Sequence, residues 1–214
     1  MLHVLAQDQS LINDFLAELR SVEIQQDRAR FRRNIERIGE ILAYEISKQL
    51  LRKEIEVQSP LGIHHSYILD QQPVLASILR AGLPLHQGLL NFFDKADNAY
   101  VSAYRKHTVN HEFEIVVEYL ASPDLNGKTL ILIDPMLATG RSVFLTYKAL
   151  LTKGKPKEVF IASVIGSTAG IAYIQDHMPE AKIFIATVDS SLNKDSYIVP
   201  GLGDAGDLSF GNKI

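Results

Sequence analysis

The sequence predicts an α/β fold in which a central, mainly parallel sheet is flanked by helices. Short apolar runs alternate with helical patterns from Pro73 to Val188, and two amphipathic helical patterns precede them. Strands that alternate with helices imply a parallel sheet with right-handed crossovers. Because the 214 residues contain no repeat and no low-complexity linker, we expect one domain spanning residues 1–214.

The first third of the chain is predicted to be helical. Apolar residues at helical spacing indicate one helix over Leu11–Leu19 and a second from about Asp27 to Leu51, so residues 1–60 are expected to form a helical N-terminal extension. The second helix carries a basic face formed by Arg28, Arg30, Arg32, Arg33 and Arg37. Glutamates follow on the same helix, which favours a solvated face or a subunit contact over a nucleic-acid stripe.

Strand and helix patterns then alternate. Strands are predicted over Pro73–Leu79, Ala99–Arg105, Thr129–Ile133, Glu158–Ile165 and Ala181–Val188. Helices are predicted over Leu83–Phe93, Ser142–Thr152 and Thr168–His177. Thr108–Tyr119 alternates apolar and polar residues, which predicts a β-hairpin arm with one exposed face. The glycine-rich tail over Tyr197–Gly211 shows neither helical nor strand periodicity, so no regular element is expected there.

Composition narrows the classes of function. The chain is 46% hydrophobic and 22% charged, with a formal net charge of −3. The absence of a global basic field argues against nucleic acid as a partner. The absence of cysteine excludes disulfides and thiolate chemistry. No signal-peptide pattern and no long apolar run occur, so we expect a cytoplasmic protein with no membrane partner.

The segment Leu130–Ser142 (LILIDPMLATGRS) has the pattern of a phosphate site. A buried strand delivers Asp134 to its carboxyl end, where open α/β sheets bind ligands. Small residues then open a helix, so backbone N–H groups can approach a phosphate, and Thr139 and Ser142 add hydroxyls. Neither a P-loop nor a dinucleotide fingerprint is present. A strand–helix turn capped by Thr139 or Ser142 remains an alternative.

The same segment carries a family resemblance. Its core, ILIDPMLATG, resembles the PRPP-binding loop of type I phosphoribosyltransferases in the form found in the uracil phosphoribosyltransferase family. Four further segments are similar to that family and follow the same order, namely Ile78–Leu83 (ILRAGL), Tyr104-Arg105, Asp189–Asn193 (DSSLN) and Tyr197–Asp207 (YIVPGLGDAGD). The resemblance spans nearly the whole chain. It implies a type I phosphoribosyltransferase-like fold in which residues 190–214 form a base-binding hood.

The resemblance also implies an activity and its residues. The reaction would join uracil to the ribose 5-phosphate of PRPP, giving UMP and pyrophosphate in pyrimidine salvage. The implied catalytic residues are Arg80, Arg105, Asp134 and Asp204. The implied PRPP-binding residues are Arg80, Arg105, Asp134, Pro135, Met136, Leu137, Ala138, Thr139, Gly140, Arg141, Ser142 and Asp204. The implied uracil-binding residues are Ile198, Gly203, Asp204 and Ala205.

The expected cofactor is Mg²⁺, carried by PRPP and without direct protein ligands. GTP is a candidate allosteric activator, and a homodimer or higher homo-oligomer is expected.

The sequence departs from the family at several positions. Arg141 replaces a second glycine of the phosphate loop, which would crowd the backbone if that position had a positive φ. Ser163–Ile171 (SVIGSTAGI) replaces a Pro-Glu-Gly version of the following turn, and His107-Thr108 replaces acidic residues. One alternative, favoured only by the Arg141 substitution, is a non-enzymatic PRPP-sensing or RNA-binding regulator that retains the fold. Another is a phosphoribosyltransferase for a purine base, against which the PGLGDAGD segment weighs.

Overall fold

A computed structural model describes the backbone of residues 1–107 and 113–213, and the side chains of residues 1–102 and 118–213. The helices are α1 (Leu11–Arg20), α2 (Arg28–Ser47), α3 (Gly82–Phe92), α4 (Arg141–Leu150), α5 (Thr168–His177) and α6 (Ala205–Phe210). The strands are β1 (Leu2–Val4), β2 (Arg52–Ser59), β3 (Gly62–Leu69), β4 (Val74–Leu79), β5 (Asp97–His107), β6 (Phe113–Ala121), β7 (Thr129–Ile133), β8 (Met136–Leu137), β9 (Glu158–Ser167), β10 (Lys182–Asp189), β11 (Ser191–Leu192) and β12 (Ile198–Val199).

The main sheet has the strand order β1-β10-β9-β7-β4-β5-β6, with the short β8 also paired to β9. Its pairings are parallel except for the antiparallel pair β5–β6. The predicted mainly parallel sheet is confirmed. The β5–β6 pair is the predicted hairpin arm, and residues 108–112 of that prediction lie outside the described residues.

The central strands are buried on both faces, which explains their unbroken apolar sequences. Ile131 and Ile133 of β7 face a cluster formed with α1, α2 and α3. Leu130 and Leu132 face the opposite cluster, which includes residues of α4 and α5. Helices therefore cover both faces of the sheet and leave its carboxyl edge for the connecting turns.

The N-terminal extension differs from the prediction. The side chain of Asp27 accepts hydrogen bonds from the backbone N–H groups of Ala29 and Arg30, which caps the start of α2. However, α2 ends at Ser47 rather than near Leu51. Residues 1–60 are not wholly helical, because β1 joins the main sheet and β2 pairs with β3 in a separate hairpin. Most β2 side chains are exposed, so no apolar period marks the strand.

The glycine-rich tail is also more regular than predicted. β11 and β12 form a small antiparallel pair, and α6 follows the glycine-rich turn. Six residues are too few to show a helical period, and α6 depends on the side chain of Asp204 as its N-cap. No helix in the described part of the chain is long and apolar enough to cross a bilayer.

Candidate active site

Two turns meet at the carboxyl edge of the sheet. The neighbouring parallel strands β4 and β7 lead directly to Arg80 and Asp134. Gly82 allows the two turns to pack closely, since a Cβ at this position would lie 2.5 Å from Oγ of Ser77 and 3.0 Å from the carbonyl oxygen of Ile133. The sheet register and a glycine thus bring two of the predicted catalytic residues to one place.

The turn predicted to bind phosphate, called the phosphate loop below, comprises residues 134–140. Oδ1 of Asp134 accepts a hydrogen bond from the backbone N–H of Met136 at 3.2 Å. Gly140 has a left-handed φ of 73° and is the N-cap of α4, without a side-chain cap. The backbone N–H of Arg141 donates to Oγ1 of Thr139 over a long 3.4 Å. The turn therefore depends on glycine rather than on a capping hydroxyl, and the N–H groups at the start of α4 remain suited to an anion.

Two serines of β9 hold this loop by hydrogen bonds to its backbone. Oγ of Ser163 donates to the carbonyl oxygen of Asp134 at 2.6 Å. Oγ of Ser167 donates to the carbonyl oxygen of Ala138 at 2.6 Å and accepts from the backbone N–H of Gly170 at 2.9 Å. Both serines are fully buried. Sequence reasoning noted this segment only as a departure, although two serines within an apolar strand were a usable signal.

Arg141 causes no backbone strain. It is the first residue of α4, and among the described residues the only non-glycine residue with a positive φ is Ser196. The left-handed conformation belongs to Gly140, so the position of Arg141 does not need glycine. Its exposed side chain makes no hydrogen bond or ion pair with any described residue.

The residues of the predicted hood are anchored to α1. Nη1 and Nη2 of Arg20 donate to the carboxylate of Asp189 at 2.8 and 2.7 Å, and Asp189 also accepts from the backbone N–H of Gly201 at 2.8 Å. Hydrogen bonding by Arg20 and then by Gly201 holds the pKa of Asp189 below its ordinary value, although burial opposes this. Arg20 also donates to the carbonyl oxygen of Gly201 at 2.9 Å. The turn before α6 is therefore fixed by a buried carboxylate.

The hood contacts the phosphate loop. The backbone N–H of Ala205 donates to the sulfur of Met136 at 3.5 Å. Asp204 accepts from the backbone N–H groups of Gly206 and Asp207 at 2.8 and 3.0 Å. Ala205, a predicted uracil-contact residue, therefore lies beside Met136, a predicted PRPP-contact residue.

The remaining predicted residues are placed as follows. Ile198 is buried in the core beneath the hood, and Gly203 is exposed with a φ of 90°. Nη2 of Arg80 donates to Oδ1 of Asp207 at 2.9 Å, a partner that sequence reasoning missed. Arg105 lies on β5, and its side chain is outside the described residues.

Metal-binding groups are sparse. Within the described ranges, no three His, Cys, Asp or Glu side chains come together in a geometry that could hold a metal ion. Among the described residues, Asp134, Asp204 and Asp207 supply carboxylates to this edge of the sheet.

The sheet order, the phosphate loop and the helical layers define the fold of a phosphoribosyltransferase. A hypoxanthine phosphoribosyltransferase from Staphylococcus aureus shares this fold with a TM-score of 0.51 and 14% identity, over 87% of this chain and 84% of that one. A protein from Aquifex aeolicus superimposes over all of both chains with a TM-score of 0.87 and 29% identity.

The family model described as uracil phosphoribosyltransferase matches residues 6–212. A uracil phosphoribosyltransferase from Porphyromonas gingivalis is 54% identical over 211 residues, which cover 98% of each chain. Another, from Thermococcus gammatolerans, is 37% identical over 208 residues, covering 96% of this chain and 91% of the relative. The chain belongs to the uracil phosphoribosyltransferase family.

Proposed function

We propose that this protein transfers the ribose 5-phosphate of PRPP to N1 of uracil, giving UMP and pyrophosphate in pyrimidine salvage. The observation that carries the proposal is the contact between the PRPP loop and the hood, where Ala205 donates to the sulfur of Met136. This contact joins the loop proposed for PRPP to the turn proposed for the base, which supports a reaction between the two substrates at this edge of the sheet. Family membership and the P. gingivalis relative support the same reaction.

PRPP would bind to the loop and the start of α4. Asp134 is suited to accept hydrogen bonds from the ribose hydroxyls, because it directly follows β7. The 5-phosphate would lie against the backbone N–H groups of residues 138–142, where the helix dipole favours an anion. Thr139 and Ser142 would add hydroxyl donors, and Arg141 would add a cation at the rim of the loop. The family residues Pro135 to Leu137 complete this contact surface.

Arg80 and Arg105 are proposed to hold the pyrophosphate, since guanidinium groups match its paired oxygens. Mg²⁺ would arrive on PRPP and supply charge neutralisation and a template for the leaving group. The few carboxylates of the site fit this role, because Mg²⁺ usually takes few protein ligands beside substrate phosphates.

Uracil would be recognised mainly by backbone groups of the hood, at Ile198, Gly203, Asp204 and Ala205. Gly203 has a left-handed backbone, and Ala205 is fully buried, so neither can present a bulky side chain. The backbone of the hood can therefore approach a base closely, which suits recognition of the N–H and carbonyl groups of uracil.

The glycosidic bond forms as the bond from the anomeric carbon to pyrophosphate breaks. The N1 proton leaves to water or to a pyrophosphate oxygen. Rate enhancement would come from alignment and electrostatics rather than from a general base.

The regulator alternative loses its main support. Arg141 was the feature that favoured it, and the structure accommodates Arg141 without strain. We therefore keep the enzyme as the proposal, with no nucleic-acid partner.

We also propose three properties beyond the reaction itself. Cytoplasmic location and activation by GTP are two of them. Self-association is a third, supported by the β2–β3 hairpin, whose Leu61, Ile63 and Tyr67 are 100%, 63% and 63% exposed. Sedimentation velocity would measure the oligomeric state.

The test is formation of UMP from radiolabelled uracil, PRPP and Mg²⁺, with and without GTP. We expect product from the wild type and a loss of at least about a hundredfold in Asp134→Asn, the scale of removing a group that aligns the substrate. Asp176→Asn, an exposed change on α5, is the matched control and should be fully active. Cytosine and hypoxanthine should give no product. Folded wild-type protein that makes no UMP would contradict the proposal.

A further inference from the structure

An ion pair joins the turn after β4 to the hood. Nη2 of Arg80 donates to Oδ1 of Asp207 at 2.9 Å and to the carbonyl oxygen of Gly211 at 3.1 Å. Asp207 is held within α6, because its N–H donates to Asp204 at 3.0 Å and its carbonyl oxygen accepts from Gly211 at 2.8 Å. The acid that contacts Arg80 is therefore fixed by the same turn as the proposed base-contact residues.

This contact leaves part of Arg80 available. A guanidinium carries five N–H donors, and within the described part of the chain only Nη2 has partners. Nε and Nη1 remain for another anion. The side chains of Arg80 and Asp207 are 39% and 30% exposed, so the pair is open on one side. Arg80 can therefore contact the hood and a pyrophosphate group at the same time.

We propose that Asp207 is a positioning residue, which orients Arg80 toward pyrophosphate and couples the order of the hood to pyrophosphate binding. The inference rests on the proposed function. The negative charge of Asp207 alone would weaken pyrophosphate binding, because a carboxylate beside an anion site repels the anion. The contact with Nη2 of Arg80 therefore points to a contribution through alignment of the arginine rather than through charge.

The kinetic test uses Asp207→Asn. We expect kcat for UMP formation to fall about tenfold while KM for PRPP stays unchanged or decreases, because alignment is lost and a negative charge is removed. Asp207→Glu keeps the carboxylate on a longer side chain, so its kcat should lie between those of Asp207→Asn and the wild type. Asp176→Asn removes an exposed acid from α5, outside the hood, and should behave as wild type. An Asn variant whose kcat stays within about twofold of wild type, or a Glu variant no better than Asn, would overturn the proposal.

A second measurement does not depend on turnover. Inorganic pyrophosphate with Mg²⁺ should slow amide hydrogen exchange both in residues 79–83, the turn that carries Arg80, and in residues 203–211 of the wild type. In Asp207→Asn we expect only the first segment to be protected. Protection of the hood that persists in the variant contradicts the coupling. If the variant does not fold, the wild-type measurement alone tests the coupling. A hood whose amide hydrogen exchange is not slowed by pyrophosphate is not coupled to pyrophosphate binding.

The two proposals fail in different ways. A wild type that makes no UMP but shows hood protection by pyrophosphate would refute the proposed reaction and retain the coupling. A wild type that makes UMP without hood protection would refute the coupling alone.

Discussion

Replacing Ser167 by alanine tests whether the β9–α5 turn holds the phosphate loop in place. The change removes the bond from Oγ to the carbonyl oxygen of Ala138 and the bond from the N–H of Gly170 to Oγ. Each bond contributes about 1 kcal/mol net, and a buried group left without a partner costs more. We therefore expect the free energy of unfolding to decrease by about 2–3 kcal/mol. For a chain of this length the melting temperature should fall by roughly 4–12 °C.

The functional consequence should appear in PRPP binding. Without Ser167 the loop backbone at Ala138 loses a fixed partner, so its N–H groups should be less well aligned for the 5-phosphate. We expect KM for PRPP to rise about tenfold, which corresponds to about 1.4 kcal/mol, while KM for uracil changes little.

Thermal unfolding and initial-rate kinetics measure both effects. The matched control is Thr146→Val, because the hydroxyl of Thr146 is buried on α4 and has no hydrogen-bond partner among the described residues. Removing an unpaired hydroxyl should be neutral or stabilising. The reasoning is refuted if Ser167→Ala keeps the wild-type melting temperature and KM for PRPP, or if Thr146→Val causes an equal loss.

Two further changes test single side chains. Arg141→Gly should raise KM for PRPP about three- to fivefold and flatten its dependence on salt, because one exposed cation is lost. The control is Lys148→Ala, an exposed cation near the other end of α4, and equal salt dependence in Arg141→Gly and wild type would contradict the prediction. Burial lowers the pKa of His86 below its ordinary value of 6.5, against a hydrogen bond with Asn98 that raises it. The unfolded chain therefore binds the proton first, so stability should fall as the pH drops below 6.5. His86→Gln should flatten that part of the curve in chemical denaturation, and an unchanged slope would contradict the assignment to His86.

The sequence predicted the helices and strands whose buried faces give a regular spacing of apolar residues. β7 and α5 have the predicted bounds because TLILI is buried on both faces and α5 has an apolar stripe. β2 was missed because most of its side chains are exposed, and a strand without a buried face has no alternation to read. α6 was missed because it is stabilised by a cap rather than by an amphipathic pattern.

The partners of the site residues could not be predicted by the same reasoning. Asp189 and Arg20 are 169 residues apart in the chain, and Arg80 and Asp207 are 127 apart. Local sequence periodicity does not show which acid pairs with which arginine. The pairing depends on how the C-terminal segment crosses the edge of the sheet. Resemblance supplied the candidate residues, and the fold supplied the contacts through which Asp207 and Ser167 would act.

The loop shows why an arginine is tolerated at position 141 when neighbouring positions require glycine. Gly140 has the left-handed φ, and a Cβ there would also lie 2.8 Å from the carbonyl oxygen of Gly170. A Cβ on Gly170 would in turn lie 2.5 Å from the carbonyl oxygen of Leu137 and closer still to that of Ala138. Gly140 at the start of α4 and Gly170 in α5 therefore pack against each other in van der Waals contact. This close packing sets the geometry of the loop. Arg141 lies one residue beyond this contact, within the helix and open to solvent, so its side chain changes the charge at the loop without changing the loop's shape.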